Sequence, residues 1–231
     1  MILAAGLGKR MLPLTANTPK PLLQVGGKPL LEHHILNLRA AGFTELVINA
    51  AYLADQIIDF CGDGSRWGVQ ICVSVEAEPL ETAGGIINAL PFLGNQPFIV
   101  VNGDIYTHFP VKYMQEKPIP TAGAHLILVS NPTHNLAGDF TLVGHQVQPR
   151  AEQTLTFSGI AAYHPHFFSE LAEGKRSLKP MLDVAITKQV VTGEYYEGPW
   201  FDVGTPQRLQ ELDKAYLSGV FAADQDSAQR G

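Results

Sequence analysis

Met1-Ile2-Leu3-Ala4-Ala5-Gly6-Leu7-Gly8-Lys9-Arg10 starts as an apolar run, breaks on two glycines and ends in two cations. A short apolar run that stops at glycine reads as a buried strand feeding a turn. The glycines let the backbone bend sharply and come close to a ligand. Successive N–H groups in such a bend form an anion-binding nest, and Arg10 adds a permanent planar charge suited to phosphate oxygens. On these residues alone an ordinary strand-to-helix turn fits as well. A Walker loop is absent, and the dinucleotide pattern G-x-G-x-x-G fails because its third glycine position is Met11.

Outward from this start, strand and helix signals alternate. Pro29 to Ala41 reads as a helix closed by Gly42, 45–49 as a strand, 54–61 as a helix, 69–75 as a strand, 83–90 as a helix and 98–102 as a strand. The strands are apolar without period-two polarity, as in parallel strands buried on both faces. Beyond residue 105 the strand-like stretches 125–130, 140–143, 154–164 and 190–196 crowd together, with helices expected at 165–172, 181–189 and 206–217. Antiparallel or mixed additions to the sheet are expected there. No repeat or linker is visible, so residues 1–219 are expected to be one domain, with 220–231 a disordered tail. Because Met1 already falls in the first strand, the native start is expected upstream.

Of the 231 residues, 45% are apolar and 16% charged, with 22 Gly, 16 Pro and a net charge of −6. This suits a loop-rich globular enzyme and offers no basic footprint for nucleic acid or anionic lipid. Two cysteines, Cys61 and Cys72, cannot build a metal cluster and suit a reducing compartment. No apolar run approaches membrane-spanning length and no signal peptide is recognisable, so a cytoplasmic protein is expected. The histidines show no metal spacing and are read as structural.

Two aspartates stand out. Phe98-Ile99-Val100-Val101-Asn102-Gly103-Asp104 is a buried strand ending in Gly-Asp, and Trp200-Phe201-Asp202-Val203-Gly204-Thr205 repeats the pattern. Ligands of open α/β sheets bind beyond the carboxyl ends of strands, where Asp104 falls. Two carboxylates completed by phosphate oxygens and water make a Mg²⁺ shell. A turn or helix-cap role is the alternative for either residue.

Together with Thr18-Pro19-Lys20-Pro21-Leu22, the stretch from Leu3 to Thr15 resembles the sugar-nucleotidyltransferases (NDP-sugar pyrophosphorylases), whose signature is Gly-x-Gly-x-Arg followed by Pro-Lys-Pro. The resemblance implies an α/β fold, a Rossmann-like three-layer α/β/α arrangement with a mostly parallel central sheet and antiparallel additions in the second half. It places Ala5, Gly6, Gly8, Lys9 and Arg10 on a nucleoside triphosphate, Lys20 at the reacting phosphates, and Mg²⁺ on Asp104 and Asp202; Arg10, Lys20, Asp104 and Asp202 are then the catalytic set. Glu76-Ala77-Glu78-Pro79-Leu80-Glu81-Thr82-Ala83-Gly84-Gly85 matches the loop that reads the nucleobase, with Ala77, Glu78 and Gly84 as contacts and Asn102 at the nucleotide. Glu-Pro-Leu-Glu-Thr, Val-Asn-Gly-Asp, Gly138-Asp139-Phe140 and Leu155-Thr156-Phe157-Ser158-Gly159-Ile160 narrow the likeness to uridylyltransferases of cell-wall recycling acting on N-acetylmuramate 1-phosphate. Asp139, Ser158 and Gly159 are then candidates for the sugar and Lys179 for its phosphate, although turn, strand and surface residues of these types are common. Mannose-1-phosphate guanylyltransferases share Glu-Pro-Leu and are the enzymatic alternative; a non-catalytic sugar-nucleotide sensor is disfavoured because all four catalytic candidates are present. The expected partners are a nucleoside triphosphate and a sugar 1-phosphate, for a monomer or small homo-oligomer.

Overall fold

The structure is a computed structural model that describes residues 1–169 and 171–221. In chain order it contains β1 (Ile2–Leu3), β2 (Gln24–Val25), β3 (Lys28–Pro29), α1 (Leu30–Ala40), β4 (Glu45–Ala50), α2 (Ala54–Cys61), β5 (Gln70–Val75), α3 (Glu81–Leu93), β6 (Phe98–Asn102), β7 (Ile105–Thr107), β8 (Ala124–Val129), β9 (Thr141–Val143), β10 (Gln146–Gln148), β11 (Thr156–Tyr163), α4 (Lys179–Thr187), β12 (Val191–Tyr195), β13 (Trp200–Asp202) and α5 (Pro206–Leu217). The chain forms two compact units, each assembled from non-consecutive segments.

The first unit comprises residues 2–79, 103–113 and the described chain from Gly198. Its strands β1, β4 and β5 are parallel neighbours, with Leu3 opposite Asn49 and Asn49 opposite Ser74. Five of the six residues of β4 are buried, as apolar runs covered on both faces should be. A separate ribbon pairs β13 antiparallel to β7, with Asp202 opposite Ile105. Beneath that ribbon Met11, Val25, Leu30, Tyr106, Val203, Leu209, Leu212 and Phe221 form one apolar cluster. Three of these residues lie within two positions of a candidate site residue: Met11 beside Arg10, Tyr106 near Asp104, Val203 beside Asp202. Full burial of such side chains contributes roughly 1.5–3 kcal/mol each, so the core that stabilises this unit also anchors its polar neighbours.

The second unit holds Met1 and residues 80–102 and 114–197. Here β11 lies antiparallel to both β6 and β8, β12 runs parallel to β8, and β10 is antiparallel to β12 and β9. These are the antiparallel additions expected of the second half. The β11–β8 register shifts between Phe157 and Ala161, and Gly159 sits there at φ 83°. This irregularity frees residues 158–159 from regular pairing.

One expected helix is replaced. Residues 165–172 were expected to be helical, but the described part forms only a single 3-10 turn, Pro165–Phe167, capped by the His164 ring accepting from the His166 N–H. Phe168 ends the turn and is 1% exposed, against Phe98, Tyr163 and Phe167. Packing of these rings wins over local helix propensity. The expected tail lies, from residue 222 onward, outside the described residues.

Candidate active site

The glycine-rich loop leaves the sheet at Ala4, whose N–H donates to Asn49 Oδ1 at 2.7 Å. Asn49 in turn donates from Nδ2 to Glu76 Oε1 at 2.6 Å. Asn49 and Glu76 are 3% and 4% exposed, so this is an interior strut joining the ends of β1, β4 and β5. It supplies a partner for a backbone donor that would otherwise be buried and unpaired as the chain turns away. Further along, Gly8 is left-handed at φ 60°, and a Cβ there would meet Thr15 Cγ2 at 2.9 Å. Thr15, 1% exposed, donates to the Gly8 carbonyl at 2.8 Å, which also accepts from Met11 N–H at 2.8 Å. The protein's own packing therefore demands glycine at 8. At Gly6 a Cβ would meet nothing within 4 Å, so the packing of the chain does not itself require glycine at that position.

Pro19 and Pro21 flank Lys20 in a 3-10 turn, limiting the backbone freedom that must be lost in aiming its side chain. Lys20 is 8% exposed and its Nζ donates to Asp104 Oδ2 at 2.6 Å. Asp104 is held by its neighbour: Gly103 N–H donates to the Leu3 carbonyl at 2.8 Å, and a Cβ on Gly103 would lie 2.5 Å from that same oxygen. The Asp104 carbonyl accepts from Val203 N–H at 2.9 Å, which ties this strand end to the Asp202 segment. Asp202 Oδ2 accepts from Arg208 Nη1 at 2.8 Å, and the Arg208 guanidinium crosses directly over Gly204, where any Cβ would collide with it. A pocket of about 300 Å³ is lined by residues 6–11, Lys20, Asp104 and Gly204. The phosphate-loop candidates, the lysine and one candidate metal aspartate thus share one cavity, with Asp202 two residues from its wall.

The donor set fits a hard divalent cation. Two carboxylates project from paired backbone segments, and among the described residues no group of three or more His, Cys, Asp or Glu could enclose a metal. Mg²⁺ is commonly held by one or two carboxylates, with substrate phosphates and water filling the remaining positions. Asp104 and Asp202 could hold it; in this structure each is paired with a cation, Lys20 and Arg208.

The base and sugar candidates divide between the units. In the first, Ala77 and Glu78 are exposed just past β5. In the second, Gly84 lies in the first turn of α3. Its N–H and that of Ala83 both donate to the Arg176 carbonyl, at 3.2 and 3.1 Å, while Arg176 N–H donates to the Leu80 carbonyl at 2.9 Å. A Cβ on Gly84 would collide with the Gly174 carbonyl. Helix α3 has no side-chain cap, so a main-chain carbonyl takes its orphan donors. Asn102 meets Gly159: a Cβ there would lie 2.6 Å from Asn102 Nδ2. Asp139 accepts from Phe157 N–H at 2.8 Å and from Asn135 at 3.3 Å. Ser158, 1% exposed, accepts from Ile160 N–H at 3.1 Å. Lys179 pairs with Asp183 at 2.5 Å on an exposed helix face, its ammonium 5.0 Å from the Phe140 ring centroid.

Among the titratable groups, burial pushes His34 down to about 4, only partly offset by its hydrogen bond to the Ile105 backbone and by the Asp104 charge. His34 is 4% exposed. Burial raises the Cys61 thiol to about 11, the state of an inert core cysteine.

Residues 1–219 match the family model described as nucleotidyl transferase. The chain belongs to the nucleotidyl transferase family. It is 50% identical over 219 residues to the N-acetylmuramate alpha-1-phosphate uridylyltransferase of Neisseria meningitidis serogroup B, covering 91% of this chain and 95% of that one. It is 28% identical to the mannose-1-phosphate guanyltransferase of Aspergillus oryzae, covering 95% of this chain but 64% of the fungal protein. A Bacillus anthracis crystal structure assigned as a glucose-1-phosphate thymidylyltransferase superposes with a TM-score of 0.82 at 25% identity, covering 92% of each chain. The expected nucleotidyltransferase fold is thereby established. Asn49, Glu76, Thr15 and Arg208 hold the candidate site residues in place and were not singled out by motif reading. Asn49 had one signal, a polar side chain directly after the apolar Leu46-Val47-Ile48. Arg208 had another, a cation in the first turn of a helix, where the dipole disfavours it.

Proposed function

We propose that the protein transfers UMP from UTP to N-acetylmuramate α-1-phosphate, giving the UDP-sugar and pyrophosphate, with Mg²⁺ on Asp104 and Asp202. The observation that carries the reaction class is the convergence of residues 6–11, Lys20 and Asp104 on one pocket. The choice of base and sugar is supported by the half-identical neisserial relative, matched over nearly its whole length. A role in peptidoglycan recycling in the cytoplasm goes with that substrate. Among the described residues no helix is long and apolar enough to cross a membrane.

The sugar phosphate oxygen attacks the α-phosphorus in line, and pyrophosphate departs. Both reactants are anions, so their approach must be neutralised. Backbone N–H groups around Gly6 and Gly8 cradle the triphosphate, while Arg10 and Lys20 meet the charge that grows on the phosphate oxygens. No general base is required, because a phosphate monoester is already ionised near neutral pH. Bound Mg²⁺ supplies Lewis-acid stabilisation of the same oxygens. Ala77, Glu78, Gly84 and Asn102 serve the nucleotide, and Asp139, Ser158, Gly159 and Lys179 the sugar phosphate.

The test is a matrix of UTP, GTP and dTTP against the 1-phosphates of N-acetylmuramate, mannose and glucose, read by pyrophosphate release. UTP with N-acetylmuramate 1-phosphate should turn over fastest. Preference for GTP with mannose 1-phosphate would overturn the substrate assignment, and silence in every cell would overturn the reaction.

A further inference from the structure

Arg208 occupies a position that its own helix disfavours. Thr205 caps α5 by accepting from Arg208 N–H at 3.3 Å, and Pro206 follows, so Arg208 stands in the first turn among backbone N–H groups that carry partial positive charge. What compensates is Asp202, whose Oδ2 lies 2.8 Å away in a pair with side chains only 20% and 22% exposed. The guanidinium reaches it by lying across Gly204, a residue that also lines the phosphate pocket. Arginine does not deprotonate in proteins, so this charge stays at every working pH.

We infer that Arg208 is a positioning residue that sets the cation affinity of Asp202, keeping the carboxylate engaged so that a bare divalent cation binds weakly and one carrying polyphosphate binds well. The inference rests on the proposed metal role of Asp202. Two effects of opposite sign follow from the pair. Arg208 orients the carboxylate, which favours cation binding; releasing one short side chain would weaken binding by a few-fold at most, roughly its rotamer entropy. Arg208 also repels the cation. A unit positive charge against a divalent ion sharing one carboxylate is worth on the order of tenfold in affinity even at the dielectric of bulk water, and more in a partly buried pair. Repulsion therefore wins for the bare ion. When the ion arrives with a triphosphate, the ligand's own negative charge offsets Arg208, and only the orienting effect remains. Lys20 stands in the same relation to Asp104, so the four side chains Lys20, Asp104, Asp202 and Arg208 sum to zero formal charge, and a free cation meets no net attraction from them.

The experiment measures free Mn²⁺ binding by electron paramagnetic resonance on the intact protein without nucleotide. Arg208→Gln should bind Mn²⁺ on the order of tenfold more tightly than wild type. Arg208→Lys, which keeps the charge, should stay within about threefold. Gly204→Ala displaces the guanidinium without altering its charge and asks only a few tenths of an ångström of Asp202 Oδ1, 3.1 Å from the added methyl, so it should also tighten binding, and the double variant should bind no more tightly than Arg208→Gln alone. Gly204→Ala keeps the test decisive if Arg208→Gln does not fold. Unchanged or weaker Mn²⁺ binding in both Arg208→Gln and Gly204→Ala would overturn the inference. Asp104→Asn and Asp202→Asn serve as the separate check on its foundation: both should lose Mn²⁺, and full retention by both would remove the metal site itself.

Discussion

Replacing Lys20 by methionine removes one charge while keeping an unbranched apolar stem in a turn bracketed by prolines. Two consequences can be sized separately. For stability, the partner matters: the Lys20 side chain is 10% exposed but that of Asp104 is 38% exposed, so solvent screens much of the pair. An ion pair with one member this open is worth no more than about 1 kcal/mol, a shift of only a few degrees in melting temperature for a chain of this size. For catalysis, the ammonium lines the pocket proposed to bring two anions together, and losing one such preorganised charge costs about 10²–10³ in rate, or roughly 3–4 kcal/mol of transition-state stabilisation. Lys20→Met should therefore fold almost normally and lose at least a hundredfold in kcat. The assay is pyrophosphate release at saturating UTP, sugar phosphate and Mg²⁺, run beside a thermal melt of the same preparation. A rate within about tenfold of wild type, with an unchanged melt, would refute the electrostatic role. A large loss accompanied by a collapse in melting temperature would show instead that the lysine is structural.

Asn49→Ala removes the acceptor of the buried Ala4 N–H and one partner of Glu76, so it should destabilise by about 2–4 kcal/mol in urea unfolding. It should also raise KM for UTP far more than KM for the sugar phosphate, because the strut seats the loop proposed to bind the triphosphate. Acid should weaken the fold through His34. Its folded value of about 4 lies below the ordinary 6.5, so the native state holds it neutral while the unfolded chain takes up a proton. Stability is full above pH 6.5 and declines as the pH falls towards 4, by up to about 3 kcal/mol. Burial lowers His33 and His125 as well, which adds in the same direction. Urea midpoints at pH 7.5 and pH 5 should differ, and His34→Gln should shrink the difference; coincident midpoints for wild type would contradict this.

Local rules were enough wherever a stretch carried its own boundaries. Helix α2, strand β6 and helix α5 fall on the residues expected, the last because Thr205 caps it and Pro206 begins it. The expected 165–172 helix failed because it required knowing that Phe168 packs on Phe98 and Tyr163, which are distant in sequence. The same divide runs through the site. Gly6, Gly8, Lys20 and Asp104 sit in contiguous motifs whose chemistry shows in the order of residues. The strut through Asn49 and Glu76 depends on three strands lying side by side, and the Arg208 pair depends on a side chain folding back over a glycine. Asp139 and Ser158 illustrate the reverse difficulty: each is a polar residue near a strand end, and only coordinates reveal the backbone amides that each accepts.

Asp202, Gly204, Thr205 and Arg208 together occupy residues 202–208, an uninterrupted stretch that runs from the ribbon into the first turn of α5. Half of the charged centre is therefore encoded as a compact cassette, whose internal distances are set by one strand end, one cap and one helical turn rather than by assembly of remote segments. An insertion of even one residue between 204 and 208 would therefore rotate the arginine off its aspartate and separate the two members of the pair.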